Sequence, residues 1–207
     1  LSFLDKWLLS DYNALIKIVD ESLEKYDMQT PARAISDFVD RLSNWYIRRS
    51  RERFWGSEEN NDKKSAYKTL YEVLVSLSKL IAPFVPFLAE EIYQNLVRSL
   101  DPNAPESVHF CAFPVADESM IDSRLNEGMD KVLEIVNLGR ACRSASNVKN
   151  RQPLAKVIVC TSKQLVLDDE LKDLILDELN VEQIEILHNA DEYVSYELKP
   201  QLRTVGP

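Results

Sequence analysis

Four glycines in 207 residues leave this chain few places for the unusual backbone conformations that tight loops require. A Gly-rich phosphate cradle is nearly excluded on that count, and long helices are favoured. The apolar spacing agrees. Over residues 1–26, Leu4, Leu8, Leu15, Val19 and Tyr26 recur at three, four or seven, as one helix face requires. The triplet at 27–29 interrupts the pattern. Thr30 and Pro31 then read as an N-cap hydroxyl and a proline at the first helical position. Ile35, Phe38, Val39, Leu42, Trp45 and Tyr46 form the next stripe, on a helix expected to run to Trp55, where Gly56 and Ser57 stop it.

Residues 58–64 read as a polar loop. Tyr67, Leu70, Tyr71, Leu74, Leu77 and Ile81 mark a third helix, which Pro83 and Pro86 interrupt by lacking backbone donors. Leu88, Ile92, Tyr93 and Leu96 resume the period to about Leu100. Residues 101–114 form a loop, and 122–146 a further helix. Beyond Asn147 the character changes. Residues 156–161 (KVIVCT) are short and β-branched, as in a strand. Residues 168–179 form an acidic amphipathic helix, and 184–188 and 193–198 read as two more strands. The fold class is therefore mainly α: a helical bundle over 1–114, a connecting helix over 115–150, and a small α+β unit over 151–207. The chain starts inside an amphipathic pattern and ends soon after an extended one, so both ends read as cuts within a longer protein.

Cys111, Cys142 and Cys160 are far apart and form no Cys-x-x-Cys pair, and His109 and His188 are distant from each other. Neither a disulfide framework nor a structural zinc site is supported, and a reducing, cytoplasmic setting fits. No apolar run approaches the roughly 20 residues of a membrane helix. The net charge of −9 opposes global wrapping of nucleic acid, but it is unevenly spread. Residues 168–197 hold eleven acidic residues and one lysine. Residues 41–53 hold five arginines against one glutamate, and residues 140–156 hold five basic residues and no acid.

At about 100° per residue, Arg41, Asn44, Arg48, Arg51 and Trp55 fall in one narrow sector opposite the apolar stripe. Guanidinium forks pair with phosphate oxygens, an amide can read a base edge, and an indole can stack on a splayed base. That face suits a folded RNA hairpin. Arg49 and Arg53 project toward the core side, where a cation needs an acidic partner; Glu90 and Glu91 are candidates. Arg140, Arg143, Lys149 and Arg151 form a second basic stretch, readable as RNA contact or as solvent-facing charge. His109 and Cys111 do not make a nucleophile–base pair by themselves. Tyr67, Tyr71 and Tyr93 read as core aromatics. No catalytic constellation is present.

These residues carry a resemblance. The segment 44–55 (NWYIRRSRERFW) and the helix-break-helix 80–93 (LIAPFVPFLAEEIY) resemble the anticodon-binding region of class I aminoacyl-tRNA synthetases, in the branch for isoleucine, valine, leucine and methionine. The first segment is similar to the isoleucine type specifically. Ser107-Val108-His109 leading to Phe113-Pro114 matches the loop expected next. Residues 138–154, with Arg151-Gln152-Pro153-Leu154, and Asn180-Val181 resemble the eukaryote-like form of the isoleucine branch. The resemblance covers essentially the whole chain. It implies a synthetase anticodon-binding bundle that holds the anticodon stem-loop of isoleucine tRNA, with Arg41, Asn44, Arg48, Arg51, Trp55, Arg140, Arg143, Lys149 and Arg151 as contacts. It implies a parent that charges this tRNA using ATP and Mg²⁺ through catalytic and editing domains absent here. This piece would hold no cofactor and no metal and would be inactive alone. The HIGH-like and KMSKS-like motifs of such catalytic domains do not occur, nor does the cysteine-rich zinc module of the bacterial-type form. Two other readings stay open: a helical scaffold that binds proteins, and the same domain of a valine- or leucine-type synthetase.

Overall fold

The computed structural model describes residues 1–57, 60–161 and 165–188; the strand expected over 193–198 lies outside them. The chain divides into two compact units, 1–127 and 128–207, and the division falls inside the helix that follows the 101–122 segment.

The first unit is helical. Helix α1 (Phe3–Glu24) starts at a reciprocal cap: the Asp5 amide donates to Ser2 Oγ at 3.2 Å, and the Ser2 amide donates to Asp5 Oδ2 at 3.0 Å. Two residues past its end, the left-handed backbone of Tyr26 (φ 58°) takes the ring out of the expected stripe and into solvent. Helix α2 (Gln29–Arg41) starts two residues earlier than the Thr30 cap predicts. The Asp27 carboxylate does the capping, accepting from the Gln29 and Thr30 amides at 2.9 and 3.1 Å. Pro31 is tolerated because its missing amide belongs to a first turn without intrahelical partners.

The expected run to Trp55 is not one α-helix. Residues Leu42–Ile47 form a π-helical segment, the chain breaks at Ser50 (ψ 7°), and Arg51–Trp55 make a short helix α3 that Gly56 closes. Helix α4 (Asn61–Ile81) absorbs most of the expected polar loop, because the Asn60 side chain caps it by accepting from the Lys63 amide at 2.8 Å. Its buried face is Ala66, Thr69, Val73, Leu77, Leu80 and Ile81, so Leu77 and Ile81 of the predicted stripe are in the core while its N-terminal half is turned aside. Tyr67 and Tyr71 are therefore not core residues. Each ring lies half out, and its hydroxyl donates to a neighbouring carbonyl, of Phe54 and Leu96 respectively. Helix α5 (Pro86–Tyr93) starts at the predicted proline and continues into a second π-helical segment, Gln94–Arg98. The core of this unit gathers Trp7, Leu8, Val19, Phe38, Trp45, Tyr46, Leu80 and Tyr93.

The second unit begins within α6 (Ser123–Ala145), which buries Met129, Val132, Ile135 and Val136. Strand β1 (Leu154–Cys160), helix α7 (Asp169–Leu179) and strand β2 (Val181–Leu187) follow as one crossover. The strands pair in parallel, Leu154 opposite Val181 through to Cys160 opposite Leu187. Gly128 and Gly139 lie eleven residues apart, which returns to one side of a helix. A Cβ at either would meet the side chain of Leu171 or Leu179 within 2.7 Å, so these glycines let α7 approach α6. Among the described residues, no helix is long and apolar enough to cross a membrane.

Candidate nucleic-acid interface

The arginine-rich segment sits on the outer side of the α2–π–α3 run, and the π insertion decides which arginines it presents. A π turn holds more residues than an α turn, so a projection at a constant 100° drifts along it. Phe38, Leu42, Trp45 and Tyr46 still face the core. What changes is the partner each cation finds.

Arg41 does not stand on an open face. Its Nε and Nη2 donate to both Asp11 carboxylate oxygens at 2.8 Å, tying α2 to α1 as a bidentate pair. Asn44 is exposed, and its amide donates to Asp40 at 2.6 Å. Arg48 is exposed; its Nε donates to the Asn44 carbonyl at 2.7 Å, and its guanidinium lies 5.8 Å from the Trp45 ring centroid. Arg51 lies 5.4 Å from the Trp55 centroid, and Trp55 is 79% exposed. The structure thus keeps Asn44, Arg48, Arg51 and Trp55 on the surface of one short stretch and takes Arg41 into the bundle.

Arg53 turns inward as expected, but not to Glu90 or Glu91. It makes 2.8 Å bonds to both oxygens of Asp5 and to both of Asp62. Asp5 is fully buried and also accepts from the Tyr46 hydroxyl at 2.8 Å. Burial pushes the Asp5 carboxyl up, but Arg53, the Ser2 amide and the Tyr46 hydroxyl pull it further down, to about 2. The Tyr46 phenol is held above its ordinary value by burial and by the adjacent Asp5 charge. Glu90 serves elsewhere, accepting from the Ser107 hydroxyl, the Val108 amide and Gln94, and so stitching the loop after α5 onto it. Ser2-x-x-Asp5 is a legible capping pattern that the sequence reading passed over; the second role of Asp5, beneath Arg53 and Tyr46, has no local signal.

In the second unit the basic stretch divides likewise. Arg143 is 5% exposed and is removed from the contact candidates. Its guanidinium donates to the carbonyls of Lys149 (3.1 Å), Gln152 (3.0 Å), Leu179 (2.5 Å) and Asn180 (3.1 Å). Two of those carbonyls lie at the C-terminal end of α7, where the helix dipole favours a cation. Arg140 pairs with Glu178. Lys149 and Arg151 are exposed on the connector that Arg143 braces. Among the described residues, no group of three or more His, Cys, Asp or Glu side chains could hold a metal ion.

The chain is a helical bundle with an exposed arginine–tryptophan face, followed by a small βαβ unit. Its kind follows from comparison. Residues 5–159 match the family described as the anticodon-binding domain of tRNA ligase, and the chain belongs to that family. It is 49% identical over 203 residues to an isoleucine–tRNA ligase of Clostridium novyi, covering 98% of this chain and 19% of that protein. It is 46% identical over 207 residues to the isoleucine–tRNA ligase of Thermus thermophilus, covering 98% and 20%. Against isoleucine–tRNA ligase 2 of Bacillus cereus the identity is 43% over 208 residues, covering 100% and 20%. The chain spans about a fifth of the length of the curated relatives it matches.

Proposed function

We propose that this chain is the anticodon-arm-binding part of an isoleucine–tRNA ligase, and that it grips the anticodon stem-loop of isoleucine tRNA. The observation that carries the reading is identity of 43–49% to isoleucine–tRNA ligases along nearly the entire chain. The exposed Asn44, Arg48, Arg51 and Trp55 supply a face of the right chemistry, with Lys149 and Arg151 as a second contact. Cations bind the phosphodiester backbone and set the position of the RNA, while base edges and stacked bases supply what discrimination there is. In the parent, catalytic and editing domains in the remaining four-fifths would use ATP and Mg²⁺ to charge the tRNA in the cytoplasm. This part would contribute by holding the tRNA, which lowers the entropic cost of bringing its acceptor end to a distant site.

The test is a titration of the chain with isoleucine tRNA and an unrelated tRNA over a range of salt. Binding should weaken with salt, and Arg48→Ala with Arg51→Ala should flatten the log–log slope by about two or less. Binding to neither tRNA, or an unchanged slope in the double variant, would count against the reading. Preference for an acidic protein surface over RNA would favour the scaffold alternative.

A further inference from the structure

Asp40 and Asn44 stand four residues apart where α2 passes into the π segment, and both are exposed. The Asn44 amide nitrogen donates to Asp40 Oδ1 at 2.6 Å. That bond fixes which way round the amide sits. A carboxylate can only accept, so the NH2 group must face Asp40, and a flipped amide would set oxygen against oxygen. Asn44 therefore keeps its side-chain oxygen for an incoming partner. Asp40 has a second oxygen, Oδ2, which takes no bond among the described residues. A free amide reads donors and acceptors alike, but this pair offers acceptors, with one amide proton left over.

The surroundings narrow the ligand. Asp37, one turn earlier, is also exposed, so this end of the face repels a phosphate. The cations lie one turn further on, and the Asn44 backbone carbonyl holds the first of them, accepting from Arg48 Nε at 2.7 Å. A basic protein side chain would suit Asp40 but would meet the exposed Arg48 and Arg51 beside it. A neutral donor edge joined to a phosphate suits both parts. We infer that Asp40 is a positioning residue that locks the Asn44 amide with its oxygen outward, and that the pair reads one unpaired guanine of the bound RNA. This rests on the proposed RNA-binding function. Guanine sets an imino N–H and an amino group next to each other on its pairing edge. Adenine and cytosine each set one amino group beside an acceptor nitrogen, and uracil has one N–H between two carbonyls. Each of those would bring an acceptor against an acceptor here. A paired guanine has this edge occupied, so the ligand lies in a loop or is otherwise splayed.

The experiment uses the 207-residue chain and labelled anticodon stem-loops of isoleucine tRNA, read by anisotropy at fixed salt. Each loop guanosine is replaced in turn by inosine, which lacks the amino group and keeps the imino N–H. At one position the wild type should lose about tenfold, the scale at which a base contact discriminates. Asn44→Ala should reduce that preference below about twofold. Asp40→Ala and Asp40→Asn should do the same, because neither forces the Asn44 amide to one orientation, and Asp40→Glu should restore part of it. Asp40→Ala should also bind the inosine stem-loop at least as tightly as the wild type does, since an acid has left a face that meets RNA. An Asp40 that only supports the fold would instead weaken guanosine and inosine stem-loops equally and lower the urea midpoint, and that result overturns the inference. So does a wild type indifferent to inosine, within about twofold, at every loop position, or a guanosine preference that survives Asn44→Ala. In those two cases the RNA-binding function stands. If no stem-loop binds the wild type, the proposed function falls, and this site falls with it.

Discussion

Replacing Arg53 by alanine should be among the most destabilising single changes in the first unit, and replacing its second partner, Asp62, among the mildest. Both acids bond Arg53 at 2.8 Å. Asp5 is fully buried, whereas the Asp62 side chain is 51% exposed. Removing the cation leaves the Asp5 charge in the core with only the Ser2 amide and Tyr46 hydroxyl, an uncompensated buried charge that costs about 3–5 kcal/mol. Removing Asp62 breaks a solvent-screened pair, worth about 1 kcal/mol or less. A double change, Asp5→Leu with Arg53→Met, takes away both charges and should recover most of the loss. Lowering the Asp5 carboxyl from 3.8 to about 2 corresponds to about 2 kcal/mol of stability. Because the folded value is the lower one, that stability is fully present above pH 3.8 and is lost as pH falls through about 2. The assay is urea unfolding followed by tryptophan fluorescence, at neutral pH and in acid. Trp7, Trp45 and Trp55 all lie in the first unit, so the signal reports on it alone. Equal losses for Arg53→Ala and Asp62→Ala would refute the reasoning, as would a double variant no more stable than Arg53→Ala.

The second unit has its own signatures, read best by amide exchange because it contains no tryptophan. Arg143→Lys should lower protection of the Leu154 amide, which bonds the Asn180 carbonyl at 3.1 Å, by about 2 kcal/mol, since an ammonium cannot serve four carbonyls in the plane of a fork. Gly139→Ala should destabilise by about 1 kcal/mol: its Cβ would lie 2.6 and 2.7 Å from the two Leu179 methyls, an overpacking that exceeds the helix-propensity gain. Gly128→Ala meets only one close methyl, of Leu171, and should be near neutral by the same thermal-melt comparison. Asn180→Ala should cost about 1 kcal/mol and Asn180→Gly almost nothing, because Asn180 closes α7 in the left-handed region at φ 48°.

What could be read from the sequence was what local chemistry decides. Pro86 begins a helix and Gly56 ends one, as their backbones demand. The β-branched run and the acidic amphipathic run became β1 and α7 within a residue or two. What escaped depends on partners distant in sequence. The π segment Leu42–Ile47 carries no propensity signal, yet it sits in the middle of the segment whose helical projection was taken as regular. Thr30 looks like a cap, but the Asp27 carboxylate starts the helix earlier by accepting from the Gln29 and Thr30 amides. Tyr67 and Tyr71 match an apolar stripe by letter, while their hydroxyls need carbonyls at the rim of the core. Arg143 and Arg51 are indistinguishable as letters; four carbonyls surround one and an indole lies under the other.

That sorting changes a measurable magnitude. On the helical projection, residues 41–53 offer three arginines to RNA, Arg41, Arg48 and Arg51. In the fold, Arg41 is held by Asp11 and Arg53 by Asp5 and Asp62, Arg49 is partly buried, and Arg48 and Arg51 remain the exposed pair. A phosphate contact contributes about 0.7–0.9 to the log–log salt slope. Three contacts would make this face lose about 30-fold in affinity between 50 and 200 mM salt, whereas two would lose about tenfold. The difference can be assigned residue by residue. Arg51→Ala should lower the slope by about 0.8, while Arg41→Ala should leave it unchanged and instead lower the unfolding midpoint, because its guanidinium joins α2 to α1. A slope change in Arg41→Ala as large as that in Arg51→Ala would mean that the Asp11 pair opens on binding and that all the arginines of the segment act together. A small slope also agrees with a net charge of −9: the acidic remainder would repel RNA at long range, which leaves a compact pair of exposed cations rather than a diffuse basic surface to meet phosphates.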